Sequence, residues 1–161
     1  MATLPQLETV RFRPLEPHDR ERLRRLFFRL SPRTVYRRFL SPVPGPCEPV
    51  LDRLMDVDHR DREALAALVG DEIVGVARYA RNPGEETAEL ALVVADDWQR
   101  LGLGRALLWS LAGLARGRRV RAFTGTMLAD NGPMLKLLRA LSPGVSARPS
   151  AGQLEVEIPL R

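Results

Sequence analysis

A segment that could bind an anion runs from Gln99 to Arg105 and has the sequence QRLGLGR. Gly102 and Gly104 leave out side chains where a ligand phosphate would approach the backbone closely. An apolar strand precedes the segment and an amphipathic helix follows it, so unpaired N–H groups and the positive helix end lie here. Arg100 and Arg105 add positive charge. The spacing therefore predicts a binding site for a pyrophosphate.

Two common phosphate motifs do not describe this segment. The dinucleotide-binding fingerprint needs a third glycine at a position where this chain has Leu107. The P-loop ends in Gly-Lys followed by Ser or Thr, and the sequence has no such tripeptide. The segment therefore indicates a phosphate-binding fold other than these two.

Hydrophobic spacing predicts the elements that position this turn. Residues 87–95 (TAELALVVA) predict a central strand, and its apolar residues beyond Leu90 indicate burial on both faces. A helix is predicted over 103–116 and another over 131–141, capped by Asn131 or Asp130. Upstream, a helix with Asp19 as N-cap carries Leu23, Leu26, Phe27 and Leu30 on one face, and Ser31-Pro32 starts another. Pro42, Pro44 and Pro46 predict a stiff loop.

The remaining predicted elements are strands and one short helical segment. A first strand covers 9–13, and two more cover 63–69 and 73–79 on either side of a Gly70-Asp71-Glu72 turn. A short helical segment covers 48–55, a strand covers 120–127, and a hairpin covers about 145–149 and 153–159. The principal order, βααβββαβαββ, predicts one mixed α/β domain.

Composition excludes several classes of protein. One cysteine, Cys47, rules out an intramolecular disulfide framework and suits a reducing compartment. Two histidines and one cysteine cannot form a familiar His/Cys zinc site, so we expect no metal. No apolar run approaches the ~20 residues that span a bilayer, and the N-terminus lacks a secretory signal. We therefore expect a cytoplasmic protein that does not enter a membrane.

The positive charge is concentrated in the first quarter of the chain. The 161 residues carry a net charge of +5, with 24 arginines and one lysine, Lys136. Residues 1–41 hold a surplus of six positive charges, and the remainder is close to neutral. Such a surplus raises the question of a nucleic acid or an acidic partner. Interleaved aromatic residues and a recognition motif are absent, which argues against nucleic acid.

With its flanking strand and helix, Gln99–Gly104 resembles the Q/R-x-x-G-x-G/A signature of the GCN5-related N-acetyltransferases, the GNAT family. The predicted order of elements is similar to that family over about residues 9–158. The resemblance implies a single α/β (mixed α+β) domain over residues 1–161. Its central sheet would be mixed, mostly antiparallel, with two splayed strands and about four flanking helices.

The resemblance also implies acetyl-CoA as co-substrate, held between the splayed strands. Backbone groups near residues 92–94 would pair with the pantetheine arm, and the N–H groups of residues 100–105 would hold the pyrophosphate. The residues implied to bind the cofactor are Leu92, Val93, Val94, Gln99, Arg100, Leu101, Gly102, Leu103, Gly104, Arg105, Asn131 and Met134.

Glu89 is the candidate general base. A lysine at its reference pKa of ~10.4 is neutral in only about one molecule in 2,500 at pH 7, so acetylation benefits from a base. A carboxylate entering an apolar strand is out of place unless it is paired or functional. Its placement resembles that of the general-base glutamate in the family, although a simple strand-end residue at the sheet rim is the alternative. Glu85 and Glu86 are weaker candidates in the preceding loop.

Two further expectations concern the chemistry. The amine would attack the thioester directly, with a backbone N–H near Val93 stabilising the developing negative oxygen. Many family members carry a tyrosine as general acid seven residues after the asparagine, where this chain has Leu138. No general acid is assigned, because a thiol with a pKa of about 8.5 can leave with the help of water.

The N-terminal segments FRPL (12–15) and LSPRTVYRRFL (30–40) resemble bacterial and archaeal protein lysine acetyltransferases of the family. Such domains are often fused to a nucleotide-sensing or acyl-CoA-synthetase-like domain, which we do not expect in this chain. The implied activity is acetyl transfer to a protein lysine. Tyr36 is expected to pack in the core. Arginines in this region either border the acceptor groove or form a solvated helix face: Arg24, Arg25, Arg29, Arg33, Arg37 and Arg38.

Other functions remain open at this point. The chain could acetylate a small-molecule amine, although a polycationic substrate would favour an acidic pocket over an arginine-rich one. It could also bind acyl-CoA without catalysis. Both a monomer and a homodimer are compatible with the sequence, with the C-terminal strands as a pairing edge.

Overall fold

A computed structural model describes residues 7–41 and 45–161 of the chain. Pro42 and Pro44 of the predicted stiff loop lie outside these residues. The strands are β1 (Arg11–Pro14), β2 (Arg62–Val69), β3 (Glu72–Ala80), β4 (Thr87–Val94), β5 (Ala122–Leu128), β6 (Ser146–Ser150) and β7 (Gln153–Pro159). The α-helices are α1 (Arg20–Phe28), α2 (Pro32–Phe39), α3 (Glu48–Met55), α4 (Leu103–Gly117) and α5 (Gly132–Leu141).

The seven strands of the described residues form one sheet in the order β1-β2-β3-β4-β5-β7-β6. Every neighbouring pair is antiparallel except β4 and β5, which run parallel. The mixed, mostly antiparallel sheet and the single-domain α/β architecture are confirmed, with five α-helices where about four were expected.

Two apolar cores lie on opposite faces of the sheet. One core contains the buried face of α4, including Leu107 and Leu111, together with Leu138 of α5. The other contains Leu23 and Leu26 of α1 and residues of β2 and β3. The sheet is therefore covered by α4 and α5 on one face and by α1 and α3 on the other.

Three details differ from the sequence predictions. Leu90–Val94 of β4 are only half-buried, because β4 and β5 separate beyond Glu89. Asp19 precedes α1 but makes no capping hydrogen bond, since its carboxylate is bound by Arg13. Tyr36 is 43% exposed and does not pack in the core.

The start of α2 is as predicted. Ser31 Oγ accepts a hydrogen bond from the backbone N–H of Thr34 at 3.2 Å, and Pro32 occupies the first helical position. These residues fix the beginning of the helix, which ends at Phe39 next to the separation of β4 and β5.

Candidate active site

The strands β4 and β5 separate in the middle of the sheet. Their pairing covers only Thr87–Ala122, Ala88–Phe123 and Glu89–Thr124. We call the gap between Leu90–Val94 of β4 and Gly125–Leu128 of β5 the fork. A cavity of about 210 Å³ occupies it, and we call this the fork cavity. The separation of two central strands creates a binding space inside the sheet.

Alternation along β4 decides which backbone groups face the fork. The N–H of Ala95 donates to Val74 O on β3 at 2.9 Å. In an antiparallel ladder, alternate residues direct both backbone groups to the same neighbour. Val93 therefore faces β3, whereas the N–H and C=O groups of Leu92 and Val94 face the fork. The backbone groups of Val93, which were expected to bind the cofactor, therefore lie on the β3 side of the strand.

The turn before α4 has the backbone of a ligand-binding loop. Arg100 and Gly102 both adopt left-handed conformations, with φ of 62° and 87°. The first helical hydrogen bond joins the N–H of Ala106 to Gly102 O at 3.1 Å. The N–H groups of Leu103, Gly104 and Arg105 are consequently left without a helical acceptor. Their arrangement at the positive helix end suits an anion.

Gly104 lies between this turn and the fork. A Cβ atom there would lie 3.5 Å from Leu92 Cδ2, 3.7 Å from Val94 Cγ2 and 3.8 Å from Leu137 Cδ2. These are ordinary contact distances, so a methyl group would fit but a longer side chain would meet the fork residues. The glycine therefore keeps the helix start close to β4.

The predicted cofactor side chains of the turn differ in their surroundings. Gln99 Nε2 donates to Val94 O at 3.0 Å and to Thr34 Oγ1 at 3.2 Å, so its amide fastens the turn to β4 and α2. Leu103 is buried in the core and Leu101 is half-buried, so both offer a ligand mainly their backbone. Arg105 lies over the Trp109 ring at 4.6 Å.

Asn131 begins α5 at the edge of the fork cavity. Its Oδ1 accepts a hydrogen bond from the N–H of Met134 at 3.4 Å. The residue is only 8% exposed, and its amide nitrogen has no acceptor within the described ranges. Met134 and Leu138 also line this cavity, and Leu138 is 2% exposed. The wall formed by α5 is therefore apolar except for one free amide.

Glu89 is exposed and lies where three cavities meet. Besides the fork cavity, an open cavity of about 560 Å³ lies over β5, β7 and β6. Its charged lining consists of Glu89, Glu155, Glu157 and Arg148, and Arg148 forms an ion pair with Glu155. We call it the acidic cavity. The predicted base is thus reached from the cofactor side and from solvent.

The third cavity lies on the other side of Glu89 and has a volume of about 350 Å³. It is lined by β3, α2, α3 and the start of β2, and it contains more positive than negative charges. We call it the basic cavity. Its charged lining residues are Arg38, Arg53, Arg62, Arg78, Asp56 and Glu89.

Arg38 and Arg78 are two half-buried cations of this cavity. Burial, with a smaller contribution from the charge of Arg78, lowers the pKa of Arg38 to about 10, while the charge of Glu89 acts in the opposite direction. Burial also lowers the pKa of Arg78 to about 10. Arg78 was not predicted from the sequence, although a charged residue inside the apolar segment IVGVARYA is the same kind of signal as Glu89.

The arginines of α1, and Arg29 directly after it, do not form a free surface. Arg24 pairs with Glu21 and Glu48, Arg25 Nε lies 3.0 Å from Glu72 Oε1, and Arg29 donates to Ile73 O. By contrast, Arg33, Arg37 and Arg38 of α2 have no acidic partner within ion-pair distance in the described part of the chain. Arg37 and Arg38 line the fork cavity, and Arg33 lines none of the three cavities.

Other candidate groups lie away from the site. Glu86 is within 3.3 Å of Arg121, and neither it nor Glu85 lines a cavity at Glu89. Cys47 is exposed at the start of α3 and also lines none of them. Within residues 7–41 and 45–161, no three His, Cys, Asp or Glu side chains are grouped to hold a metal ion. No helix in these ranges has the length and apolarity needed to cross a membrane.

Comparisons with known proteins agree with this geometry. Residues 21–141 match the model of the acetyltransferase (GNAT) family. Acetyltransferase PA5475 of Pseudomonas aeruginosa is 39% identical over 136 residues, which cover 82% of this chain and 73% of that protein. Acetyltransferase Pat of Mycolicibacterium smegmatis is 34% identical over 152 residues, covering 91% of this chain and 45% of that protein. The chain thus spans less than half of Pat.

Among solved structures, the GNAT domain of S. lividans PAT superposes with a TM-score of 0.86 at 30% identity. The alignment covers 94% of this chain and 90% of that domain. The family match, the identity to two acetyltransferases and the shared fold together establish that this chain belongs to the GNAT family of acetyltransferases, which use acetyl-CoA as co-substrate.

Proposed function

We propose that this protein is a lysine N-acetyltransferase that acts on proteins, with Glu89 as general base. The observation that carries the proposal is the position of Glu89 at the junction of the fork cavity with two cavities open to solvent. A carboxylate there can receive a proton from an amine arriving from solvent, next to a group held in the fork.

The residues of the fork fit acetyl-CoA. The backbone groups of Leu92 and the N–H of Val94 face the fork without a strand partner on that side among the described residues, whereas Val94 O accepts a hydrogen bond from Gln99. The buried amide of Asn131 has a free nitrogen at the cavity wall. These groups can hydrogen-bond to a ligand that enters the fork. A pantetheine arm, which carries amide groups, can supply such partners.

The N-terminal turn of α4 would hold the phosphates. Its free N–H groups at residues 103–105, the left-handed backbone at Gly102, and the charges of Arg100 and Arg105 suit a pyrophosphate. Met134 would pack against the pantetheine arm from α5. When bound, acetyl-CoA supplies an acetyl group on a thioester that is open to attack by an amine.

The chain's own residues account for the remaining steps. Glu89 accepts a proton from the acceptor amine, which makes its nitrogen nucleophilic. The N–H of Leu92 faces the fork, so we assign it, in place of that of Val93, the role of holding the acetyl oxygen. No tyrosine or cysteine lines the described walls of the fork cavity, so water is the proton donor to the departing thiolate.

A protein acceptor is supported by two features. The cavities on both solvent sides of Glu89 are wide, about 560 Å³ and 350 Å³, and continue along the sheet. A small amine would need a more enclosed pocket to be selected. The segment LSPRTVYRRFL, which resembles protein lysine acetyltransferases, forms the helix α2 beside the site.

The test is an unbiased search for the acceptor. The protein is incubated with isotopically labelled acetyl-CoA and cell lysate, and labelled products are identified by mass spectrometry. Label on protein lysines, lost with Glu89→Gln and retained with Glu85→Gln, is the expected result. Label only on a metabolite would make the protein a small-molecule acetyltransferase. No transferred label, with acetyl-CoA bound, would indicate a non-catalytic binding module.

A further inference from the structure

The basic cavity contains positive charge that internal ion pairs do not neutralise. Arg62 lies 3.4 Å from Asp56 and 3.5 Å from Asp58, so its charge is balanced locally. Arg78 Nη1 donates to Leu54 O at 3.0 Å, which binds the guanidinium without cancelling its charge. The surplus of this cavity therefore does not come from Arg62.

Arg38 is half-buried and, unlike Arg62 and Arg78, makes no hydrogen bond or ion pair within the described ranges, while the equally unpaired Arg53 is exposed. Its guanidinium lies 4.7 Å from the centroid of the neighbouring Phe39 ring, and no hydrogen-bond acceptor for it is found in the described part of the chain. The side chain is half-buried, and its pKa is lowered by burial and by the nearby charge of Arg78. Glu89 and Asp56 offset part of the cost of these two partly desolvated guanidiniums, but neither carboxylate lies within ion-pair distance of Arg38 or Arg78, so a further anion would be stabilised between them.

The location of the cations indicates which ligand supplies the anion. Arg38 touches the fork cavity, whereas Arg53, Arg62 and Arg78 line the basic cavity and do not line the fork. The turn expected to bind the cofactor phosphates, at residues 99–105, contributes nothing to the lining of the basic cavity. An anion held there therefore belongs to the acceptor rather than to acetyl-CoA.

The face of the sheet that carries Arg78 is consistent with an anion that belongs to the acceptor. Ala80 is paired with Glu89, and Arg78 is paired with Ala91, in the register of β3 and β4. Paired residues project to the same face, so Arg78 and Glu89 lie on one face two residues apart along the ladder. A carboxylate near Arg78 would consequently be close to an amine at Glu89.

We propose that Arg38 and Arg78 form a carboxylate-binding subsite that selects acceptor lysines with an acidic side chain close by in the sequence. Guanidinium groups bind carboxylates through paired hydrogen bonds, and partial desolvation strengthens them. The proposal rests on the proposed lysine acetyltransferase function and names the sequence context that this enzyme prefers.

The experiment uses synthetic peptides that contain one lysine in a neutral background. A single Asp is placed in turn at each neighbouring position on either side of the lysine, with Ala and Arg peptides for comparison. The wild-type protein is expected to show a KM for the acceptor about 10- to 100-fold lower when Asp occupies the matching side. Arg38→Gln should remove this preference and leave the KM for acetyl-CoA unchanged.

A charge swap separates recognition from damage to the fold. Arg38→Glu should prefer the peptide in which Arg replaces Asp at the same position. Arg33→Gln, on the same helix but outside the three cavities, should keep the wild-type preference. Acetyl-CoA binding by calorimetry and the melting temperature show whether each variant is folded.

Three results would overturn the proposal. Equal acetylation of the Asp, Ala and Arg peptides by the wild-type protein would remove the subsite but keep the lysine acetyltransferase function. A change of the KM for acetyl-CoA alone in Arg38→Gln would place Arg38 in the cofactor site. Failure to acetylate any lysine peptide or protein would overturn the proposed function and this subsite together.

Discussion

Glu89 of β4 and Thr124 of β5 form the last paired position before the two strands separate. Thr124 is in turn paired with Glu157 of β7, so the three side chains project from the same face of the sheet in one row. The general-base candidate is therefore held by pairing with both β3 and β5, and the open fork begins directly after it along β4. This position combines a rigid backbone with access for an acceptor.

Replacing Glu89 by Gln should lower kcat at pH 7 by about 10²- to 10⁴-fold, the usual contribution of a general base. The glutamine keeps the size of the side chain but cannot accept a proton. Part of the loss should be recovered at high pH, because a lysine acceptor with a pKa of ~10.4 becomes neutral without help. Steady-state kinetics from pH 6 to pH 10 measure this.

Glu85→Gln is the matched control, since this carboxylate lies in the preceding loop and lines none of the three cavities. It should leave kcat unchanged across the pH range. A Glu89→Gln variant with wild-type turnover at pH 7 would remove Glu89 from the role of base.

Gly102→Ala should destabilise the protein by roughly 1–2 kcal/mol, the cost of a left-handed conformation for a residue with a Cβ atom. The φ of Gly102 is 87°, and the turn it forms orients the N–H groups at the start of α4. The KM for acetyl-CoA should therefore rise as well. Urea unfolding and steady-state kinetics check the two effects.

Gly113→Ala tests whether the effect is specific to that turn. Gly113 lies in α4 with nothing within 4 Å of an added Cβ atom. The alanine should stabilise the protein by up to about 1 kcal/mol through helix propensity and leave the KM for acetyl-CoA unchanged. Equal destabilisation by both substitutions would contradict the role given to the left-handed turn.

Two roles of the Asn131 side chain can be tested separately: its oxygen caps α5, and its amide N–H is proposed to bind the cofactor. Asn131→Ala should cost about 1 kcal/mol because the cap at Met134 is lost. Asn131→Asp keeps a capping oxygen but loses the free amide N–H, so stability should be retained. Both variants should raise the KM for acetyl-CoA, roughly 3- to 10-fold for one hydrogen bond. Wild-type KM values in Asn131→Asp would show that the amide does not bind the cofactor.

Local signals in the sequence were sufficient for most of the fold. The Ser31-Pro32 helix start and the strand before the glycine turn depend on short-range spacing, and the structure agrees with both. The burial of β4 was predicted incorrectly because Leu90 and Leu92 look like core residues in sequence. They are half-buried because β4 and β5 separate at the fork. That separation depends on how strands distant in the sequence pair, which local spacing does not show.

The site was predicted less completely for the same reason. Arg78 joins Arg38 and Glu89 through the register of β3 with β4, which spacing along the chain does not reveal. The direction of the Val93 backbone likewise depends on the ladder. The charge surplus of residues 1–41 suggested one basic surface, but acids from α3 and the β2–β3 turn neutralise the α1 part of it.

Asp19 makes the stability of the protein depend on pH. The carboxyl is fully buried; burial raises its pKa, but hydrogen bonds from Arg13 at 2.7 Å and from the Glu16 N–H outweigh this, so its pKa lies below the ordinary value. A lowered pKa in the folded state means that the stabilisation is present above about pH 4, the unfolded value, and is lost as pH falls through the folded value.

Asp19→Asn should therefore reduce the free energy of unfolding by about 1.5–3 kcal/mol at pH 7, the worth of a hydrogen bond to a charged group. The difference from wild type should shrink as the pH falls below about 4, because the carboxyl is then protonated in the unfolded chain but still ionised in the folded one. Urea unfolding at pH 7 and pH 3 measures both values. Asp97→Asn, an exposed carboxylate, should show no difference at either pH. A difference for Asp19→Asn that stays constant between the two pH values would mean that the Arg13–Asp19 ion pair is not the source of the stabilisation.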